Sequence, residues 1–154
     1  VKPHISPYQD GRGKPATGPL DGDGRRSIYV QVRRNFLTPL LLAFDYPLPT
    51  TTIGNRGATT VPSQALMMMN NEFVNQQAGK WASRMIREFT DPRERIQRMF
   101  VEAYSRTPEA GELAATEAFL KAQGAAHGVS PNDALPWTDF AHVLFNSKEF
   151  IFVR

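Results

Sequence analysis

Hydrophobic residues recur at three- and four-residue intervals through most of the second half of the chain, the signature of helices that bury one face. Over 72–89, Val74, Ala78, Trp81, Ala82, Met85 and Phe89 share such a face, with Lys80, Arg84 and Arg87 opposite. Asp91-Pro92-Arg93-Glu94 then reads as a capping acid followed by proline at the first helical position, and it launches Ile96, Met99, Phe100, Ala103 and Tyr104. Glu94 and Arg98 are spaced to pair one turn apart. Thr107-Pro108-Glu109 opens another helix with Leu113, Phe119 and Leu120 inward, which Gly124 is expected to close. A last helix over 135–147 carries Trp137, Phe140, Ala141, Leu144 and Phe145. The following Phe150-Ile151-Phe152-Val153 is expected to fold back onto the core, because four exposed apolar residues are a liability.

The first half is less regular. Residues 1–24 show neither helical nor strand periodicity and read as an irregular arm. Ile28, Val30 and Val32 alternate with Tyr29, Gln31 and Arg33, predicting a short strand near residues 27–33. Thr38 and Pro39 start a short helix over 38–44 that buries Leu40, Leu41 and Phe44, and 45–59 forms a long irregular connection. Pro62 starts a further helix in which Ala65, Leu66, Met67, Met68 and Met69 are apolar almost all round, predicting a central peg enclosed by its neighbours. Asn71 caps the next helix, with Glu72 near its positive end. The chain thus reads as mainly α: a single helical domain over 25–154, compact and multi-helical, behind a Pro/Gly-rich arm.

Composition narrows the chemistry. At 154 residues the chain has about one domain's length and can bury a core without staples. It has no cysteine, which excludes disulfides, thiolate metal sites, a thiol nucleophile and covalent haem attachment within it. No apolar run approaches the roughly 18 residues of a membrane span. Val1 stands where an initiator Met would, and no signal peptide follows, so the sequence is expected to be a mature or excised fragment. The net charge of +3 comes mostly from arginine, which suits ion pairs and carboxylate or phosphate recognition. Interleaved acids argue against a nucleic-acid binder.

Few residues carry a catalytic pattern. His4, His127 and His142 lack the spacing of a metal pair, and the Asp21-Gly-Asp23-Gly run lacks the remaining ligands of a calcium loop, so it reads as a turn. Ser63 sits in no nucleophile elbow. Three consecutive methionines point about 100° apart and cannot converge on one ion. Neither a metal nor a cofactor is therefore expected in this chain. The constellation with most recognition potential is Arg25, Arg26, Arg33, Arg34 and Arg56 with Asp45, which could hold an acidic glycan or other anion if strand and loop bring them together. Structural ion pairing is their more ordinary role.

Several ordered motifs carry a family resemblance: Arg25-Arg26-Ser27-Ile28-Tyr29-Val30, Thr59-Thr60-Val61-Pro62-Ser63-Gln64-Ala65-Leu66, Asn71-Glu72-Phe73-Val74, Arg106-Thr107-Pro108 and Leu144-Phe145-Asn146-Ser147-Lys148-Glu149-Phe150. Over residues 25–154 the chain resembles the C-terminal part of the planctomycete domain of unknown function that ends many large secreted proteins, often with a cytochrome c domain upstream. The resemblance implies a periplasmic or secreted location, other domains of a parent protein as partners, and no established catalytic residues. A noncatalytic structural or interaction module is the expectation. The alternative is an arginine-lined wall of an enzyme or electron-transfer site shared with upstream domains.

Overall fold

Among the described residues, proline at the first helical position opens three of seven helices, where its missing N–H costs nothing and its fixed φ suits the helix. The computed structural model describes residues 39–45 and 62–152. The chain divides after Phe73 into two units. The predicted strand near 27–33 and the arm over 1–24 lie outside the described residues, among which every regular element is helical.

The first unit contributes α1 (Pro39–Ala43) and α2 (Pro62–Asn70), which pack against each other. Leu40, Leu41 and Phe44 are only half-buried, so α1 does not bury them as its apolar run suggests. The methionine helix departs further from expectation. Gln64 and Met68, one turn apart, are its buried residues, whereas Leu66 is 58% and Met69 55% exposed. The enclosed peg is thus corrected to a helix with one covered stripe. An apolar run without periodicity does not say which side a neighbour will cover. Asn71 does what its position predicts: its Oδ1 accepts from Phe73 N at 3.0 Å and caps the next helix.

The second unit holds the core. Its helices are α3 (Glu72–Glu88, from Val74 onward in this unit), α4 (Pro92–Tyr104), α5 (Ala110–His127), α6 (Ala134–Phe145) and the short α7 (Lys148–Ile151). α6 supplies Trp137, Phe140, Ala141 and Leu144, against which Ala78, Ala82 and Met85 of α3, Ile96, Met99 and Phe100 of α4, and Leu120 of α5 are buried. The periodic stripes read from the sequence are these same residues, because each helix has only one face to bury. Small residues let α3 come close: a Cβ on Gly79 would stand 3.9 Å from Thr138 Cγ2 of α6.

Local chemistry sets the ends. Asp91 accepts from Arg93 N at 3.3 Å to start α4, and Glu109 with Glu112 forms a reciprocal capping box for α5. Gly124 does not end α5, which continues to His127. Gly128, at φ 67°, ends it with the paired bonds Gly128 N to Ala125 O (3.2 Å) and Val129 N to Gly124 O (2.9 Å). Ser147 caps α7 by accepting from Phe150 N at 3.2 Å. The terminal segment folds back only in part: Phe150 meets the Phe145 ring at 5.1 Å yet stays 38% exposed, and Phe152 is 45% exposed.

One buried cation escapes any reading of periodicity. Arg95, 4% exposed, donates through Nε and Nη2 to Phe89 O (3.3 and 2.8 Å), just past the C-terminus of α3, and lies 4.3 Å over the Trp137 ring. Burial lowers its pKa, opposed by Asp91. The helix C-terminus and the ring face compensate the charge that burial strips of water.

Candidate functional site

A dense polar network lies where α3 crosses α4. Glu102 accepts from Trp81 Nε1 (2.8 Å), from both terminal nitrogens of Arg84, and from Arg98 Nε (3.0 Å). Arg84 also reaches Glu88 of its own helix at 3.4 Å. Arg98 therefore pairs one turn forward with Glu102; the expected Glu94–Arg98 pair is not among the ion pairs of the described residues. Burial pushes the Glu102 carboxyl up, but its Arg84, Trp81 and Arg98 donors outweigh that and leave it below its ordinary value. Hydrogen bonding to Glu102 correspondingly raises Arg84.

This network floors a shallow groove of about 420 Å³. Trp81 stacks on Phe145 at 5.2 Å and 20°, so its ring is held at both the N–H and the face. Gln77, Lys80 and Arg84 line the groove from α3, Ala103 from α4, and Phe150 from α7. Gln77 Nε2 is shielded from solvent and makes no hydrogen bond. Ala103 and Phe150 also border a second hollow of about 790 Å³, completed by Tyr104, Ser105, Lys148, Glu149 and Phe152.

Arg106 ties the far end together. It grips Glu112 with Nη1 and Nη2 (2.7 and 2.8 Å) and Glu149 with Nε and Nη2 (2.7 and 2.8 Å), linking the start of α5 to α7. The Phe100 and Tyr104 rings each lie 5.6 Å from its guanidinium carbon. Hydrogen bonds from Arg106 and from the Glu109 backbone hold the Glu112 carboxyl at about 2. Arg106 is itself raised by both carboxylates and stays charged throughout, so the titration belongs to Glu112.

Of the arginine constellation foreseen from sequence, Arg25, Arg26, Arg33, Arg34 and Arg56 lie outside the described residues. Asp45 is exposed just past α1, in the left-handed region at φ 56°. Sequence reasoning missed Glu102. Its one signal is the i,i+4 spacing to Arg98, which cannot reveal that Trp81 and Arg84 of another helix reach the same carboxylate. Elsewhere, His127 Nε2 lies 2.7 Å from Asp139 Oδ2 and ties α5 to α6.

A family model described as PSD1, protein of unknown function (DUF1553), matches residues 1–120 of the chain. The chain belongs to this family. No curated protein and no solved structure matches it significantly. The part of this PSD1 chain that the family model covers includes the Glu102 network and the α3 and α4 walls of the groove, while Phe145 and Phe150 lie beyond it.

The Arg106 clasp predicts how the chain's stability depends on pH. The Glu112 pKa is depressed from about 4.5 in the unfolded chain to about 2 in the folded one. Its contribution is complete above the unfolded value and is lost as pH falls through the folded one. Both side chains are 36% exposed, so solvent screening makes that contribution small and salt-sensitive. Between pH 6 and pH 2, the gap in melting temperature between the native chain and Glu112→Gln should therefore narrow. A gap that stays constant would contradict the assignment.

Proposed function

We propose that this PSD1 chain is a noncatalytic structural or interaction module of a larger extracytoplasmic protein. The observation that carries this reading is the state of the carboxylates around the groove. Glu102 is engaged by two arginines and an indole N–H, and Glu112 and Glu149 are both gripped by Arg106. Glu102, with four hydrogen bonds on its two oxygens, has no proton to give and no acceptor site left open, so it suits neither acid nor base work. Beside them, Phe150 and Phe152 present exposed rings, the kind of surface that protein partners use. Family resemblance supports a place behind other domains of a secreted planctomycete-type protein, with those domains as the partners.

The test mixes this chain with the separately expressed upstream part of its parent protein. A stoichiometric complex in sedimentation, with a raised melting temperature, is the expected result. Turnover of an ester, phosphoester or glycoside test substrate that Glu102→Gln abolishes would overturn the reading.

A further inference from the structure

We propose that α7 is a releasable latch, which swings away from α4 and α6 while the rest of the second unit stays folded, and that its Glu149–Arg106 pair governs how readily it opens. The latch goes beyond the module reading and does not depend on it. Its attachment is slight. No residue of α7 is buried, whereas α3, α4, α5 and α6 each bury at least three. The free energy of opening a segment follows the apolar cover it gives up, and here that cover is the Phe150 ring on Phe145 at 5.1 Å together with the half-buried Ile151. The hydrogen bonds that shape α7 travel with it: Phe150 N donates to Ser147 Oγ, Ile151 N to Ser147 O and Phe152 N to Lys148 O. Between α6 and α7 the backbone leaves the helical region at Ser147 (φ −76°, ψ 149°), an element-terminal position where a hinge can turn.

Arg106 is arranged to release α7 and keep its own place. Its Nη1 donates to Glu112 and to Thr107 O (3.2 Å), its Nη2 to Glu112 and Glu149, and its Nε to Glu149, so all five N–H groups are used. When Glu149 leaves, Glu112 and Thr107 O still fix the guanidinium, and the N–H groups set free meet water because the side chain is 36% exposed. The receiving side therefore stays ordered for the return. Glu149 is 45% exposed, so the pair is weak and screened by salt, as a latch requires. Release changes the surface. The hollow of about 790 Å³ is walled by Ala103, Tyr104 and Ser105 at the end of α4 and by Lys148, Glu149 and Phe150 of α7, so its width follows the position of α7. Departure of Phe150 also uncovers the Phe145 ring, on which Trp81 stacks at 5.2 Å. α7 thus gates an aromatic surface.

Thiol labelling of the full chain tests the latch. The chain has no cysteine, so Ile151→Cys places a single thiol on α7, and Ala141→Cys, at a fully buried position of α6, reports on the core. N-ethylmaleimide, which is uncharged, should label Ile151→Cys more slowly than an unstructured peptide of the same sequence and at a rate nearly independent of urea. Ala141→Cys should react only through unfolding, with a steep urea dependence. Raising salt should speed labelling at position 151, and adding Glu149→Gln should speed it about threefold and remove the salt effect. Amide exchange of Ile151 and Phe152 in the unaltered chain, followed by NMR at low and high salt, reads the same opening without a substitution. Labelling or exchange of α7 that is as steep in urea as the core, as fast as in the peptide, or indifferent to both salt and Glu149→Gln would overturn the proposal. The module reading survives any of these results, since complex formation with the upstream part is measured separately.

Discussion

Replacing Trp137 with alanine is expected to lower the melting temperature of the second unit by more than about 15 °C. The indole is fully buried at the centre of α6, edge-on to Phe140 at 6.2 Å and beneath the Arg95 guanidinium at 4.3 Å. Truncating a buried tryptophan costs roughly 3–5 kcal/mol in lost burial and residual cavity. Here the loss also removes the ring face that accompanies a nearly buried cation. A domain of this size has only about 4–12 kcal/mol in total, so partial unfolding at room temperature is within reach. Trp137→Phe separates the two contributions. It keeps an aromatic face for Arg95 and removes an indole N–H that has no hydrogen-bond partner, so its cost should be less than half that of alanine. Denaturant titrations of the two variants check this. Equal costs would mean that the ring face does not matter to Arg95.

The second large effect is expected from Gly124→Ala, with the opposite sign to the usual one. Within a helix, alanine ordinarily gains up to about 1 kcal/mol over glycine. At Gly124 a Cβ would meet Pro131 N at 2.9 Å, Pro131 Cα at 3.1 Å and Val129 O at 3.1 Å. All three are backbone atoms of the loop returning from α5 to α6, and they cannot turn aside as a side chain can. Relieving the clash means shifting the loop, at a cost of about 1–3 kcal/mol beyond the lost gain. Gly79→Ala is the control. It sits inside α3, its Cβ would find its nearest neighbour at 3.9 Å, and the ordinary stabilisation should appear. If Gly124→Ala melts as high as Gly79→Ala, the loop does not pack where the structure puts it.

Gly124 also marks where reading the chain as a string reaches its limit. A glycine after an apolar stripe looks like a helix stop, and Gly128 four residues later looks no different in sequence. The first is small because the loop that leaves α5 folds back over it and needs the space, and the second because the chain turns left-handed there. Ser105 takes the left-handed conformation after α4 at φ 59° without glycine's advantage, so composition alone does not mark it. Arg95 shows the same limit from the other side. Its position among polar neighbours suggests solvent, yet a helix end and a tryptophan from two other elements take it in. The methionine helix leaves Leu66 and Met69 exposed for a related reason, since hydrophobicity states a preference for cover and not the presence of a neighbour.

By itself, the sequence determined the helical class, the buried stripes of α3, α4 and α6, and the proline and asparagine starts, because these depend on periods and caps a few residues long. Only the tertiary structure decided which helix faces meet and which charges share a partner. Glu102 gathers Trp81, Arg84 and Arg98, and Arg106 spans from Glu112 to Glu149, 37 residues apart in sequence. Hydrogen bonds and ion pairs act over a few ångströms, so the groove they frame exists only once packing has brought distant residues within that range.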